Sequence, residues 1–263
     1  EINIPQSVKN IGSSVFSGCT LLSNIFIPPL ITEIEKSFFE KCKNIIYVLI
    51  PKTVQKIKES VFSECILLEK INIPNSVTEI GGYAFNECKS LKQIFIPSSV
   101  TVISWGLFYQ CSSLTQIDIP YSVTSIEERA FYQCTSLENI IIPELVNSIG
   151  SCAFSNCKSL IQIRIPPQVS VIEGYLFDGC EKLEKIILPS KLNEIGKYAF
   201  QDCISLIEMK IPPSVKYIGE CAFKSCSSLQ NIILPPILSS VRYAIFHGCS
   251  SLTKIEIPES YDI

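Results

Sequence analysis

Residues 73–97 read IPNSVTEIGGYAFNECKSLKQIFIP, running from one Ile-Pro pair to the next. Pro74 and Pro97 are 23 residues apart, and the same interval carries proline through Pro5, Pro28, Pro51, Pro74, Pro97, Pro120, Pro143, Pro166, Pro189, Pro212, Pro235 and Pro258 without an insertion or deletion. Phenylalanine keeps the same phase from Phe16 to Phe246, and cysteine from Cys19 to Cys249. Pro5 to Ile257 therefore holds eleven units of 23 residues in a chain of 263. One such unit is too small to enclose a core, so it must stack on its neighbours, and a fixed period of this length demands a repeat architecture.

The local pattern assigns a task to each part of the unit. The I-x-I before each proline alternates with period two, which predicts a short strand with every second residue facing inward. Proline has no N–H to donate, so it ends that strand. The V-x-x-I-G segment predicts a second extended stretch, closed by a turn where Gly12, Gly81, Gly150, Gly196 or Gly219 stands. The x-x-A-F-x-x-C segment reads as a turn of 3₁₀ or α-helix. Its small column (Ala84, Ala130, Ala153, Ala199, Ala222) lets one coil pass close to the next, and the bulkier Phe38, Leu107 and Leu176 predict local bulging. The expected fold is a repeat solenoid of eleven coils, a single domain over residues 1–263. It has a parallel β-sheet, short extended segments and 3₁₀ or helical turns, with the Phe, Cys and Leu/Ile columns buried. At about 4.8 Å per coil it is a rod or gentle arc on the order of 50 Å long.

Composition narrows the function. Hydrophobic residues make up 47% and charged residues 18%, so the chain folds. Net charge is −3, from 22 basic and 25 acidic residues, and no basic stripe suggests nucleic acid. The longest apolar run is Ile45 to Ile50, far below the roughly 20 residues that span a bilayer, so no membrane insertion is expected in this segment. Thirteen cysteines with a single histidine, His247, do not make the paired spacing of a metal site. Ladder neighbours fall within disulfide range, but their side chains run parallel, so the reading is of free, buried thiols acting as small hydrophobes. Cys152 and Cys221 lie off the ladder and are the thiols expected to react first with a probe. His247 beside Cys249 invites a catalytic-pair reading, but a thiol in a buried ladder is inert. No phosphate loop stands in the sequence. Neither an enzyme nor a cofactor is expected.

The unit at Ile73 to Pro97, repeated in phase across essentially the whole chain, resembles the BspA-like leucine-rich repeat, also called the Treponema-type repeat. The resemblance implies a right-handed leucine-rich-repeat solenoid. It also implies a surface protein of the kind found on mucosal bacteria and parasitic protists, adhering to host matrix proteins or cells. No catalytic motif comes with it. Cell-surface or secreted localisation follows from the resemblance, with the cytoplasm as the alternative. The chain begins and ends in strand-like sequence, which suggests a fragment without terminal caps, whose open ends would favour end-to-end self-association.

Function belongs to the variable columns, because the fixed ones are consumed by the core. The residue between the two inward aliphatics of each strand forms one outward column, which includes Phe26, Leu49, Asn72, Phe95, Asp118, Ile141 and Arg164. The neighbouring column includes Asn24, Tyr47, Lys70, Gln93 and Gln116. Phe26, Leu49, Phe95, Tyr47, Ile141 and Arg164 are the candidate contacts of a protein partner, since contiguous exposed apolar surface marks interaction sites. Strands favour such residues anyway. A second set of aromatics lies on the turn side (Tyr83, Trp105, Tyr109, Tyr132, Tyr175, Tyr198, Tyr243), and most are expected to pack over the turns. Two functional classes fit: a binding module, engaging a protein or glycan on an extended face, and a structural scaffold or self-assembling element.

Overall fold

The computed structural model describes residues 2–238 and 242–256. Ten complete coils, Pro5 to Leu234, lie within them, and most of an eleventh follows. Each coil pairs with the next in parallel at a shift of one unit: Tyr47 with Lys70, Ile117 with Ile140, Arg164 with Ile187, Met209 with Ile232. The I-x-I segments form three-residue strands such as Tyr47–Leu49, Lys70–Asn72, Gln116–Asp118 and Asn139–Ile141. Their central residues are buried and their outer ones exposed, as the alternation predicts. The proline that follows opens a β-turn, its carbonyl accepting from the N–H three residues on, as in Val54 to Pro51 at 3.1 Å and Val123 to Pro120 at 3.0 Å. The V-x-x-I segment forms the second extended stretch, two-residue strands such as Glu33–Ile34, Lys56–Ile57 and Glu79–Ile80 in parallel register. Among the described residues no helix is long and apolar enough to cross a membrane.

The third side of the coil corrects one expectation. The A-F-x-x-C segment is neither 3₁₀ nor α-helix but a succession of turns. The cause is two columns of left-handed backbone. Ser14, Ser37, Ser60, Tyr83, Gly106, Arg129, Cys152, Tyr175, Tyr198, Cys221 and Ala244 all have positive φ, and so does every residue from Gly18 through Lys41, Glu64 and Gln110 to Gly248 in the column four residues on. Three residues separate the two, fewer than one α-helical turn, so no helix can start. Left-handed backbone costs an L-residue roughly 1–2 kcal/mol, and the bonds it permits offset that cost. Within the coil, Ser17 N–H donates to Ser14 O and Cys19 N–H to Phe16 O. The alternate N–H groups point to the next coil: Ser14 to Lys36, Phe16 to Phe38, Gly18 to Glu40. The turn side is thus an inter-coil ladder in its own right.

The core follows from stacking the fixed columns. Phe39 through Phe223 are fully enclosed, and from Phe16 to Phe246 each ring stacks on the next at 5.3–5.9 Å between centroids. The bulging expected at the small column is present and measurable. Where the residue before Phe is alanine, the inter-coil bond to its carbonyl is 2.8 Å, as from Phe62 to Ala84 and from Phe131 to Ala153. At Phe38, Leu107 and Leu176 that bond is 3.1 Å, and the ring spacing beside each opens to 5.8–5.9 Å.

The cysteine column does more than fill space. From Cys42 to Cys249 each thiol donates to the carbonyl of the Phe in the preceding coil, at 3.0–3.2 Å. That carbonyl already accepts from the cysteine N–H of its own coil, as Phe39 O does from Cys42 N at 3.0 Å. The weak S–H donor therefore meets the second lone pair of a buried carbonyl, a role no aliphatic side chain of that size can fill.

Candidate binding surface

With the Phe, Cys and aliphatic columns sealed inside, the outward residues of the three-residue strands form one continuous face. Phe26, Tyr47, Leu49 and Phe95 are about half exposed, and Ile141 is 82% exposed. Phe26 bridges to Leu49 and Leu49 pairs with Asn72, so Phe26 and Leu49 are adjacent in one column while Asn72 separates Leu49 from Phe95. The face is not flat. Phe26, Tyr47 and Leu49 border one shallow depression, with Ile2 and Asn24. Tyr47 also walls the next, shared with Phe95. Ile141 and Arg164 line a third, with Ile187 and Lys185. The Arg164 guanidinium lies 3.6 Å from the Glu144 carboxylate, an exposed pair worth little to stability. All six candidate residues thus lie on this one face but in separate depressions. The second depression is also lined by Asn72, Gln93, Gln116 and Asp118, polar residues that the apolar-column reading passes over.

The turn side is built differently. Tyr83 meets Trp105 edge-on at 4.4 Å, Tyr109 stacks on Tyr132 at 4.8 Å, and Tyr175 stacks on Tyr198 at 4.7 Å. All but Trp105 of these are half-buried, so they pack over the turns as expected, whereas Tyr243 stands 78% exposed. Gly106 makes the Tyr83 packing possible: it takes the left-handed conformation, and a Cβ there would stand 2.3 Å from the Tyr83 ring. The glycine at Gly81 serves another end. Its φ is ordinary, but a Cβ would meet Glu59 N at 2.5 Å, so that coil sits too close to its neighbour for any side chain. Polar side chains on this side pair from coil to coil: Gln110 with Gln133 at 2.6 Å, Asn86 with Ser63 at 2.8 Å, Gln201 with Asp178 at 3.1 Å. Burial and the neighbouring Asp202 push the Asp178 carboxyl above its ordinary range.

Of the two off-ladder thiols, only Cys221 differs from expectation. Cys152 is half-buried, but Cys221 is only 4% exposed, in the left-handed column beside Tyr198. Cys19, in the same column as the ladder thiols, is half-buried. Cys249 donates its S–H to Phe223 O at 3.0 Å. Among the described residues no group of three His, Cys, Asp or Glu is arranged to hold a metal.

Comparison with known proteins agrees with this geometry. The profile of the BspA type leucine rich repeat region (6 copies) matches three times, over residues 1–114, 101–215 and 193–263. The crystal structure of a leucine rich cell surface protein from Faecalibacterium prausnitzii is 30% identical, with a TM-score of 0.61, over 98% of this chain and 87% of that one. A leucine-rich repeat protein from Bacteroides ovatus is 26% identical, with a TM-score of 0.51, over the same shares of the two chains, 98% and 87%. The pneumococcal vaccine antigen PcpA shares the fold, with a TM-score of 0.67 at 22% identity, over 95% of this chain and 66% of that one. No curated protein sequence matches the chain. The unit of 23 residues, its parallel stacking and a profile match over the whole length lead to one assignment: the chain belongs to the BspA-type leucine-rich repeat family.

Proposed function

We propose that this chain is a non-catalytic binding module of a surface protein, an adhesin-type repeat that attaches to a host matrix or cell-surface protein through its sheet face. The observation that carries the reading is the half-exposed apolar set Phe26, Tyr47, Leu49 and Phe95 on one face of the solenoid. Exposed apolar residues grouped in depressions suit protein contact, and aromatic side chains supply most interface anchors. The likeness to a cell surface protein of Faecalibacterium prausnitzii supports the surface placement.

The test is the triple variant Phe26→Ser/Leu49→Ser/Phe95→Ser. None of the three belongs to a core column, so folding is expected to survive. Retention on coats of extracellular-matrix protein and on cultured host cells should fall more than tenfold, about 1.4 kcal/mol or more. Undiminished retention would move the contact surface to the turn-side aromatics, Trp105 and Tyr243 first.

A further inference from the structure

Between the third and fifth coils the sheet face holds a depression of about 420 Å³. Strand pairing thins there. Residues 93–95 contribute a single bridge, Phe95 to Asp118, between the two-stranded sheet that ends at Lys70–Asn72 and the four-stranded one that begins at Gln116–Asp118. Ile71, Ile94 and Ile117 form the floor, and Tyr47 and Phe95 stand at the sides.

The polar side chains of this depression are Lys70, Asn72, Gln93, Gln116 and Asp118. The carboxamides at the turn side bond to polar side chains of the neighbouring coil, Gln110 to Gln133 and Asn86 to the Ser63 hydroxyl. Those at the sheet face do not: Asn72, Gln93, Gln116 and, further along the same column as Gln93, Asn139 and Gln162 make no side-chain hydrogen bond to any described residue. Four consecutive coils thus hold an unused carboxamide in one column, at Gln93, Gln116, Asn139 and Gln162, one coil spacing apart. A carboxamide offers donors and an acceptor in one plane, which is the chemistry that recognises neighbouring hydroxyls. The exposed rings of Phe95 and Tyr47 supply apolar faces for the C–H surface of a sugar ring. Lys70 and Asp118 offset each other, so the depression favours no net charge.

Register chooses between two extended occupants. A peptide strand laid along the solenoid axis repeats its side chains on one face every ~6.7 Å, out of step with coils ~4.8 Å apart. An extended β-1,4-linked pyranose chain, its alternate rings inverted, advances by about one coil spacing per ring and stays in step over a few coils. We propose that the carboxamide column Gln93, Gln116, Asn139 and Gln162, with Asn72 beside its start in the neighbouring column, is a saccharide-binding track for a linear, uncharged, β-1,4-linked oligosaccharide, one ring per coil. The inference rests on the sheet face being the binding face.

The experiment titrates the full chain by calorimetry with cellohexaose, chitohexaose, cellobiose and maltohexaose. Expected are saturable binding of at least one β-linked hexasaccharide, at least tenfold weaker binding of the disaccharide, and weaker binding of maltohexaose, whose helical course takes its rings out of step. Gln93→Leu/Gln116→Leu should lower the affinity at least tenfold with an unchanged melting curve; Gln116→Ala is the milder second variant if that pair melts early. Phe26→Ser/Leu49→Ser should leave the saccharide titration unchanged. No saturable binding of either β-linked hexasaccharide, affinity independent of chain length, or indifference to the glutamine variants would overturn the track. Retention on matrix coats is read separately, so loss of the saccharide track with retention intact refutes this inference and leaves the protein contact standing.

Discussion

Raising the pH above 9 should unfold this protein steeply, with a slope set by its thiol ladder. Cys65, Cys88, Cys111, Cys134, Cys157, Cys180 and Cys203 have no exposed surface. Loss of hydration pushes each thiol well above the ordinary 9.0, while Cys42, nearer the end, is pushed up to about 11. The unfolded chain ionises near 9 and the folded chain does not. Stability is therefore full below the unfolded value and is lost as pH rises toward the folded ones. Each such thiol removes about 1.4 kcal/mol per pH unit once the unfolded form is ionised. Seven of them together remove about 10 kcal/mol per pH unit, against a whole-domain stability of roughly 5–15 kcal/mol. The half-buried Tyr109 and Tyr175, whose phenols burial also pushes up, add to the same trend at higher pH. The assay is urea denaturation by circular dichroism from about pH 7.5 to about 10, oxygen-free and with a phosphine reductant, so that thiolate oxidation does not intrude. The urea midpoint should hold to about pH 8.5 and then fall away. Cys111→Ala/Cys134→Ala/Cys157→Ala should be less stable at neutral pH, yet its slope should be shallower by about 4 kcal/mol per pH unit. A midpoint that does not move between pH 8 and 10 would refute the reasoning, because it would mean the ladder ionises equally in both states.

Two other outcomes follow from the packing. Phe131 is stacked on both sides, at 5.4 and 5.3 Å, whereas Phe16 keeps 9% exposure and, among the described residues, is stacked along the column on one side only. Phe131→Leu should cost about 1–3 kcal/mol in urea unfolding and Phe16→Leu less than half as much; equal costs would show that ring stacking adds nothing beyond volume. Alkylation of the native protein, followed by mass spectrometry of its peptides, should label Cys19 and Cys152 first and leave Cys221 with the buried ladder. Rapid labelling of Cys134 before unfolding would contradict the enclosed core.

The register of the fold was legible because the repeat is written in residues with one physical role each. Proline can only end the strand, Phe fills the interior, and I-x-I alternates its faces. The turn side was misread because left-handed backbone leaves little trace in side chains. Lys41, Glu64 and Gln110 adopt it as readily as Gly18, Gly179 and Gly248 in the same column. Those three glycines, with Asn156 and Asp202, were the available signal against a helix. The cysteines were read as small hydrophobes, and the Phe carbonyl that each thiol meets could not be inferred until coils were placed against one another. The outward columns were legible from alternation, so Phe26, Leu49 and Phe95 were found. The depression at Asn72 to Asp118 was not, because it depends on a lapse in pairing at residues 93–95. QIF, the sequence there, reads like any other strand of the repeat.

The exact period also decides what kind of ligand the surface can suit. Each column keeps one environment along the chain, so an outward position such as Ile141, 82% exposed, can change without altering the buried Ile140 and Ile142 on either side of it. Folding places no condition on these residues beyond tolerance of a strand, and binding can select them one at a time. The freedom is in side-chain identity and not in position. Backbone bonds between coils fix the spacing at about 4.8 Å, so neighbouring outward groups can neither converge into a deep pocket nor move apart. A ligand of this face must therefore be extended and in step with the coils, or else touch only two or three of them. That geometric condition separates the two proposals. Phe26 and Leu49, on adjacent coils, can anchor a protein segment that need not keep step, whereas the carboxamides from Gln93 to Gln162 can act together only on a chain whose own repeat matches theirs.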